Sequence, residues 1–163
     1  MKYSVEATEE NHLRQLYEVI DAVAREGKYL AFTQAPPWEE SRAFYRSILK
    51  RDFPYFVARS GENVVGWVDV APLMGQTRAH IGVLGIGLLP EARHQGIGIQ
   101  LMRAAIEKSW SIGLSRIELS VREDNLNAKA LYEKLGFEFE GRRRRGSVIG
   151  SESHDVLAMA LLR

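Results

Sequence analysis

The stretch Gly85 to Gly98 reads GIGLLPEARHQGIG, and its reading decides how the chain around it folds. An apolar run (Val83, Leu84, Ile86, Leu88, Leu89) stops at Pro90. After a short polar link, Arg93, His94, Gln95, Gly96, Ile97 and Gly98 open a long amphipathic segment. This is the pattern of a strand, a tight glycine loop and a helix N-terminus. Such a junction aims unpaired backbone N–H groups and the positive end of the helix dipole at one spot, and a phosphate satisfies both.

Working outward, the residues after Gly98 (Ile99, Met102, Ala105, Ile106, Trp110) form a helical stripe ended by Gly113. Arg116 to Arg122 alternates, with Ile117, Leu119 and Val121 on one face and Glu118, Ser120 and Arg122 on the other. In DNLNAKALYEKLGF, Ala128, Leu131, Tyr132 and Leu135 share a helix face and Gly136 is a left-handed stop. Two last strands are expected at Phe137 to about Arg143 and at Asp155 to Leu162, flanking a polar link with Gly146 and Gly150.

On the other side, Tyr55 to Ala58 and Val64 to Val70 read as strands joined by Ser60-Gly61-Glu62-Asn63. A third antiparallel strand ends at Leu89, after the Met74-Gly75-Gln76 turn. The N-terminal part begins with a loose strand at Met1 to Ala7, followed by the helix-start residues Thr8, Glu10 and Asn11. A first helix then carries Leu13, Leu16, Tyr17, Ile20, Val23 and Ala24 inward as far as Gly27. An aromatic loop, KYLAFTQAPP at 28 to 37, leads to a second helix from Trp38 or Glu39 to about Lys50, with Phe44, Ile48 and Leu49 inward. Tyr29 and Phe32 of that loop either seal the core or touch a substrate. The order is β-α-α-β-β-β-α-β-α-β-β, an α/β (α+β) chain with a mixed, mostly antiparallel sheet of about seven strands flanked by about four helices.

The chain has 163 residues, expected to form a single domain over 1–163. Its 45% hydrophobic and 26% charged content matches an average globular protein. A net charge of +1 makes no general case for nucleic acid. No apolar run approaches the roughly 18 residues of a membrane span, and MKYSVEATEENH lacks a signal-peptide pattern, so no membrane association and a cytoplasmic location are expected. There is no Cys, which excludes disulfides and a cysteine nucleophile of this chain. The four His show no ligand spacing such as HExxH, so no metal is expected.

The loop is not a dinucleotide fingerprint. Gly85-Ile86-Gly87 and Gly96-Ile97-Gly98 both lack the third glycine, so Glu118, near the distance of a ribose-binding acid, carries little weight in that role. No Gly-Lys-Ser/Thr of a Walker A loop follows either. What remains is Arg93-His94-Gln95-Gly96-Ile97-Gly98, an Arg/Gln-x-x-Gly-x-Gly pattern. Through LLPEARHQGIGIQLM and DNLNAKALYEKLGF the chain resembles the GNAT superfamily of acetyl-CoA-dependent N-acetyltransferases, over roughly residues 55 to 163.

The resemblance implies acetyl-CoA as cosubstrate. Arg93, His94, Gln95, Gly96, Ile97, Gly98 and Ile99 would hold its pyrophosphate, and the strand residues Ile86, Gly87 and Leu88 its pantetheine arm. Gly87 would admit a ligand backbone, or else mark a bulge. Asn125 would bond pantetheine, start the helix, or both, and Tyr132 would protonate the departing thiolate. An amine of pKa ~10.4 costs about 4.6 kcal/mol to deprotonate at pH 7, so a base or a desolvating pocket is needed. Some members of the family carry a glutamate at the position of Ser120; here Glu118, on the same strand face, is the expected base, with His80 and Asp69 as fallbacks. The basic run Arg142 to Arg145 reads as a solvated strand end, or as a contact for an anionic acceptor or the CoA 3′-phosphate.

The expected function is acetyl transfer from acetyl-CoA to a primary amine, on a small molecule or peptide, by direct attack in a ternary complex. The aromatic loop from Tyr29 to Trp38 weakly favours a small-molecule acceptor. The alternative is a catalytically inactive acyl-CoA-binding sensor or interaction module of the same fold. The resemblance is compatible with a homodimer, which composition does not address.

Overall fold

The computed structural model describes residues 2–163, in which the expected element order appears in full. It runs β1 (Tyr3–Ala7), α1 (Leu13–Arg25), α2 (Trp38–Lys50), β2 (Tyr55–Ser60), β3 (Asn63–Pro72), β4 (Ile81–Leu88), α3 (Ile97–Ser111), β5 (Arg116–Arg122), α4 (Leu126–Lys134), β6 (Glu138–Ile149) and β7 (Glu152–Leu162). The strands form one seven-stranded sheet in the order β1-β2-β3-β4-β5-β7-β6. Every neighbouring pair is antiparallel except β4 and β5, which run parallel because α3 crosses between them. None of the helices among the described residues is long and apolar enough to cross a membrane.

Two cores form because the strands alternate and each face receives its own helices. On one face, Val68, Val70, Leu84, Ile117, Leu119 and Val121 of the sheet meet Ile97, Leu101, Met102 and Ala105 of α3 and Tyr132 of α4. On the other, Val57, Val64 and Trp67 meet Leu13, Leu16, Val19 and Val23 of α1 and Tyr45 and Ile48 of α2. Each such fully buried aliphatic side chain contributes roughly 1.5–3 kcal/mol of transfer free energy.

Several expectations shift. α3 begins at Ile97, one residue before Gly98, and its buried stripe includes Ile97 and Leu101. In α2 the inward stripe is Ser41, Tyr45 and Ile48, whereas Phe44 is 49% exposed and faces outward. Ser41 can lie inside because its hydroxyl donates to the Pro36 carbonyl (3.0 Å). Thr8 is buried and caps nothing; instead His12 Nδ1 accepts the Glu9 N–H (3.0 Å) at the short turn before α1. β6 does not end near Arg143. It continues through a register shift between Arg143 and Ser147 to a tight hairpin at Gly150, so the supposed link is mostly strand.

Candidate active site

The loop before α3 is shaped by two left-handed residues, His94 (φ +60°) and Gly96 (φ +79°), between the buried anchors Ala92 and Ile97. Within this loop and the first turn of α3, the backbone N–H groups from His94 through Ile99 bond to no acceptor among the described residues; the first intramolecular bond is Gln100 N–H to the Gly96 carbonyl (3.4 Å). His94, Gln95 and Gly96 are exposed. A row of free donors at the start of a fifteen-residue helix fits a pyrophosphate in both charge and hydrogen bonding.

Arg93, expected among the cofactor contacts, has its guanidinium committed elsewhere. Nε and Nη2 donate to the Leu88 carbonyl (3.0 and 2.8 Å), Nη2 also to Glu26 (2.7 Å), and the group lies 4.8 Å over the Tyr29 ring. Its own N–H bonds the Pro90 carbonyl (3.2 Å). Arg93 therefore braces the loop against the end of α1, and the Leu88 carbonyl is occupied by it. Neither role was visible in the motif, because Glu26 and Tyr29 come from far back in the chain.

β4 and β5 pair only over Ile81–Val83 and Arg116–Glu118. Beyond Val83 and Glu118 they part, leaving the edge of β4 from Leu84 to Leu88 without a strand neighbour on that side. This opening ends at the α3 loop. Ile86 and Leu88 turn into the core under α3, while Gly85 and Gly87 lie on the opposite face. The glycines have local causes. A Cβ at Gly87 would sit 2.3 Å from the Trp67 ring, and one at Gly85 would sit 3.3 Å from Asp69 Oδ1. The β3–β4 register is unbroken from Gly66 to Pro72, so Gly87 marks no bulge; the indole lying across it explains the glycine, and no ligand need be invoked.

α4 brings up the second motif. Asn125 is its N-cap, its side-chain oxygen accepting the Ala128 N–H (3.3 Å). Tyr132 is 7% exposed, packed in the α3 core beside Phe137 (ring centroids 6.0 Å apart). Its hydroxyl has no hydrogen-bond partner among the described residues. Burial pushes the phenol up to about 12, which keeps it protonated at neutral pH.

The face of β5 that looks away from α3 carries Arg116, Glu118, Ser120 and Arg122. Glu118 sits on the last paired rung, opposite Val83, and accepts from Arg116 Nε (2.9 Å), which also holds Glu140. Ser120 Oγ accepts from Arg143 Nη1 (2.9 Å). Arg116, Glu118, Ser120, Glu140 and Arg143, without Arg122, line a cavity of about 380 Å³ together with Val83. Of the basic run, Arg142 pairs with Glu123 and Asp155, and Arg145 donates its backbone N–H to Asp155 (2.8 Å). His80 precedes β4, at the end where β4 and β5 still pair, and is exposed. Asp69 lies on the same sheet face as Glu118, beside Gly85, and accepts from Trp67 Nε1 (3.2 Å); burial pushes its carboxyl up to about 7, with the indole N–H pulling it back. In the α1–α2 loop, Tyr29 carries the Arg93 guanidinium over its ring but remains exposed, as does Phe32, which stands at an open depression of about 420 Å³ lined by residues 31–37.

The chain is 33% identical to the N-alpha-acetyltransferase of Mycobacterium tuberculosis over 114 residues, 70% of each chain. It is 32% identical to the L-amino acid N-acetyltransferase of Escherichia coli over 103 residues, 62% of this chain and 63% of that protein's length. A mycothiol acetyltransferase of Kocuria rhizophila is 34% identical over 62% of this chain, which spans only 31% of that protein. Among solved structures, an acetyltransferase of the GNAT family from Streptococcus pneumoniae superposes with a TM-score of 0.91 at 25% identity, covering 99% of this chain and 100% of that one. A putative acetyltransferase of Salmonella typhimurium, solved with its cofactor acetyl-CoA, shares the fold (TM-score 0.91, 14% identity, 98% and 93% covered). The model of the acetyltransferase (GNAT) family matches residues 14–137. With that match, and with the divergent strands and the open helix terminus, this chain belongs to the GNAT acetyltransferase family.

Proposed function

We propose that this chain transfers the acetyl group of acetyl-CoA to a primary amine by direct attack in a ternary complex. The observation that carries the reading is the parting of β4 and β5 directly before a helix terminus whose N–H groups are free. His94 through Ile99 would bind the pyrophosphate, and the free edge of β4 around Ile86 would lie along the pantetheine arm. Bound there, acetyl-CoA supplies a thioester carbonyl for attack. Tyr132, protonated and without a partner, donates its proton to the sulfur that leaves. Asn125 holds the start of α4 and with it the register of Tyr132. One relative is named an L-amino acid N-acetyltransferase and another an N-alpha-acetyltransferase, which favours an amino acid or a peptide N-terminus as acceptor. A cytoplasmic location and a homodimer complete the reading, and cell fractionation and solution mass test them.

The decisive experiment measures acetyl-CoA affinity and CoA release over a panel of amines. Tyr132→Phe is expected to retain acetyl-CoA binding and lose about 10²-fold in kcat, the low end of general-acid catalysis. Gly96→Glu, which sets a carboxylate among the free N–H groups, is expected to abolish acetyl-CoA binding. Binding without turnover on any amine overturns the transfer reading; unaltered binding by Gly96→Glu overturns the pyrophosphate site.

A further inference from the structure

An amine entering the opening must leave a proton behind, and at Ser120, where the resemblance looks for a carboxylate on β5, this chain has only a hydroxyl bonded to Arg143. Glu118 is held by Arg116 on the last paired rung. Across the opening, however, the sheet presents another carboxylate. The ladder partners are Ala71 with Val83, Val83 with Glu118, and Asp69 with Gly85. Asp69 therefore shares a face with Glu118 and Ser120, one strand in from the free edge of β4, with Gly85 just past the point where β4 and β5 part. We propose that Asp69 is the proton acceptor for the incoming amine, reaching the site across the bare backbone of Gly85; the inference rests on the acetyltransferase reading above.

Four observations support it. The residue between Asp69 and the opening has no side chain, and a Cβ there would press on Oδ1 at 3.3 Å. Asp69 forms no ion pair among the described residues, and the one hydrogen bond to its carboxylate is from Trp67 to Oδ1, leaving Oδ2 without a donor. Oδ2 is also absent from the fully enclosed unpartnered atoms, and Asp69 keeps part of its surface exposed, so the carboxylate is accessible. The groups facing it are neutral aromatics. Tyr55 of β2 is 3% exposed with an unpartnered hydroxyl, Tyr45 of α2 stands beside Tyr55 (centroids 6.0 Å apart), and Tyr17 of α1 lies behind Tyr45. Both Tyr45 and Tyr55 are held up by burial, so no neighbouring charge competes for the proton.

An acid near 7 matches an α-ammonium, whose pKa is about 8, far better than a lysine side chain near 10.4, so the site favours α-amines. In the step, the ammonium gives one proton to the Asp69 carboxylate, and the freed nitrogen lone pair forms the C–N bond at the thioester carbonyl. The C–S bond breaks with its electron pair on sulfur, which takes the Tyr132 proton. The second nitrogen proton returns through water to the tyrosinate, and Asp69 releases its own to solvent, so one proton is liberated per turnover.

The test is the pH dependence of kcat for wild type and Asp69→Asn on an α-amine substrate, with acetyl-CoA affinity measured for both. Expected is a wild-type acidic limb near pH 7, a loss of about 10²-fold at pH 7.5 in Asp69→Asn with acetyl-CoA affinity unchanged, and disappearance of that limb. The double variant Asp69→Asn, Ser120→Glu is expected to regain part of the rate from the other side of the opening. A limb that stays in place in Asp69→Asn, or a rate within threefold of wild type, overturns the role of Asp69. Wild-type protein that binds acetyl-CoA yet releases CoA no faster with any amine than without one overturns the acetyltransferase reading itself. Titration of the Asp69 carboxyl by carbon NMR in unmodified protein gives a check independent of variant folding: a midpoint near 7 supports the proposal, and one below 5 overturns it.

Discussion

Two glycine pairs bracket the site, and they are glycines for opposite reasons. At Gly96 nothing lies within 4 Å of a would-be Cβ, and at Gly98 the nearest atom, on Leu131, is at 3.4 Å. The protein leaves that space open at Gly96, which needs its left-handed turn, while a Cβ at Gly98 would meet only ordinary contact. At Gly85 and Gly87 the space is already filled, by Asp69 and by the Trp67 indole. The same residue type therefore reports a left-handed turn with open space beside it in the loop and the approach of a neighbouring strand's side chains in β4. A glycine in a binding motif does not by itself say which.

The comparison can be broken most sharply at Gly87. Gly87→Ala forces a Cβ to 2.3 Å from a ring held between sheet and helices, and we expect about 3 kcal/mol of destabilisation by denaturant unfolding, at the upper end of the overpacking range. A loss below about 0.5 kcal/mol, inside ordinary surface variation, would show that Trp67 moves freely and that β4 is open at that point.

Asp69→Asn probes the other filled position through stability. Folding raises this carboxyl from 3.8 to about 7, so the folded state binds the proton more tightly than the unfolded chain. Wild type should then lose stability as pH rises from about 4 to 7 and stay level above. With allowance for the partial exposure of the carboxylate, the cost is about 2 kcal/mol. The asparagine keeps the acceptor for Trp67 and carries no charge, so thermal melts should match wild type near pH 4 and exceed it at pH 8. Equal melting differences at both pH values would remove the burial argument.

The loop glycines should respond in smaller and separable ways. Gly96→Ala places a side chain at φ +79° and is expected to cost about 1–2 kcal/mol of stability, with acetyl-CoA affinity reduced as the loop relaxes. Gly98→Ala meets only ordinary contact with Leu131 and should change unfolding by less than about 0.5 kcal/mol. Its measurable effect should be on acetyl-CoA affinity by calorimetry; stability lost without any change in affinity would move Gly98 into the class of Gly85 and Gly87.

Much of the fold was legible because it rests on local rules. Period two in Arg116–Arg122 and the left-handed stop at Gly136 act within a few residues, and each stands where its pattern puts it, while the α3 stripe keeps Met102 and Ala105 of the expected set and shifts to include Ile97 and Leu101. The misreadings came where partners are distant or where two faces compete. Phe44 is the more hydrophobic residue, yet Tyr45 occupies the stripe that Ser41 and Ile48 define. β6 runs past Arg143 because β7 lies alongside to pair with it, a long-range bond that no local glycine or arginine reveals.

The same division applies to the site. By itself the sequence determined where a helix terminus with free N–H groups would form, where Tyr132 would stand on α4, and the order of strands and helices around them, because helix starts, stops and periodicities are properties of neighbouring residues. Tertiary structure alone decided that Arg93 braces α1, that Trp67 fills the space at Gly87, that Glu118 is held by Arg116, and that the Asp69 carboxylate lies against Gly85. Those relations join residues from different strands and helices, and only the sheet register and the packing of its two faces bring them within reach of one another.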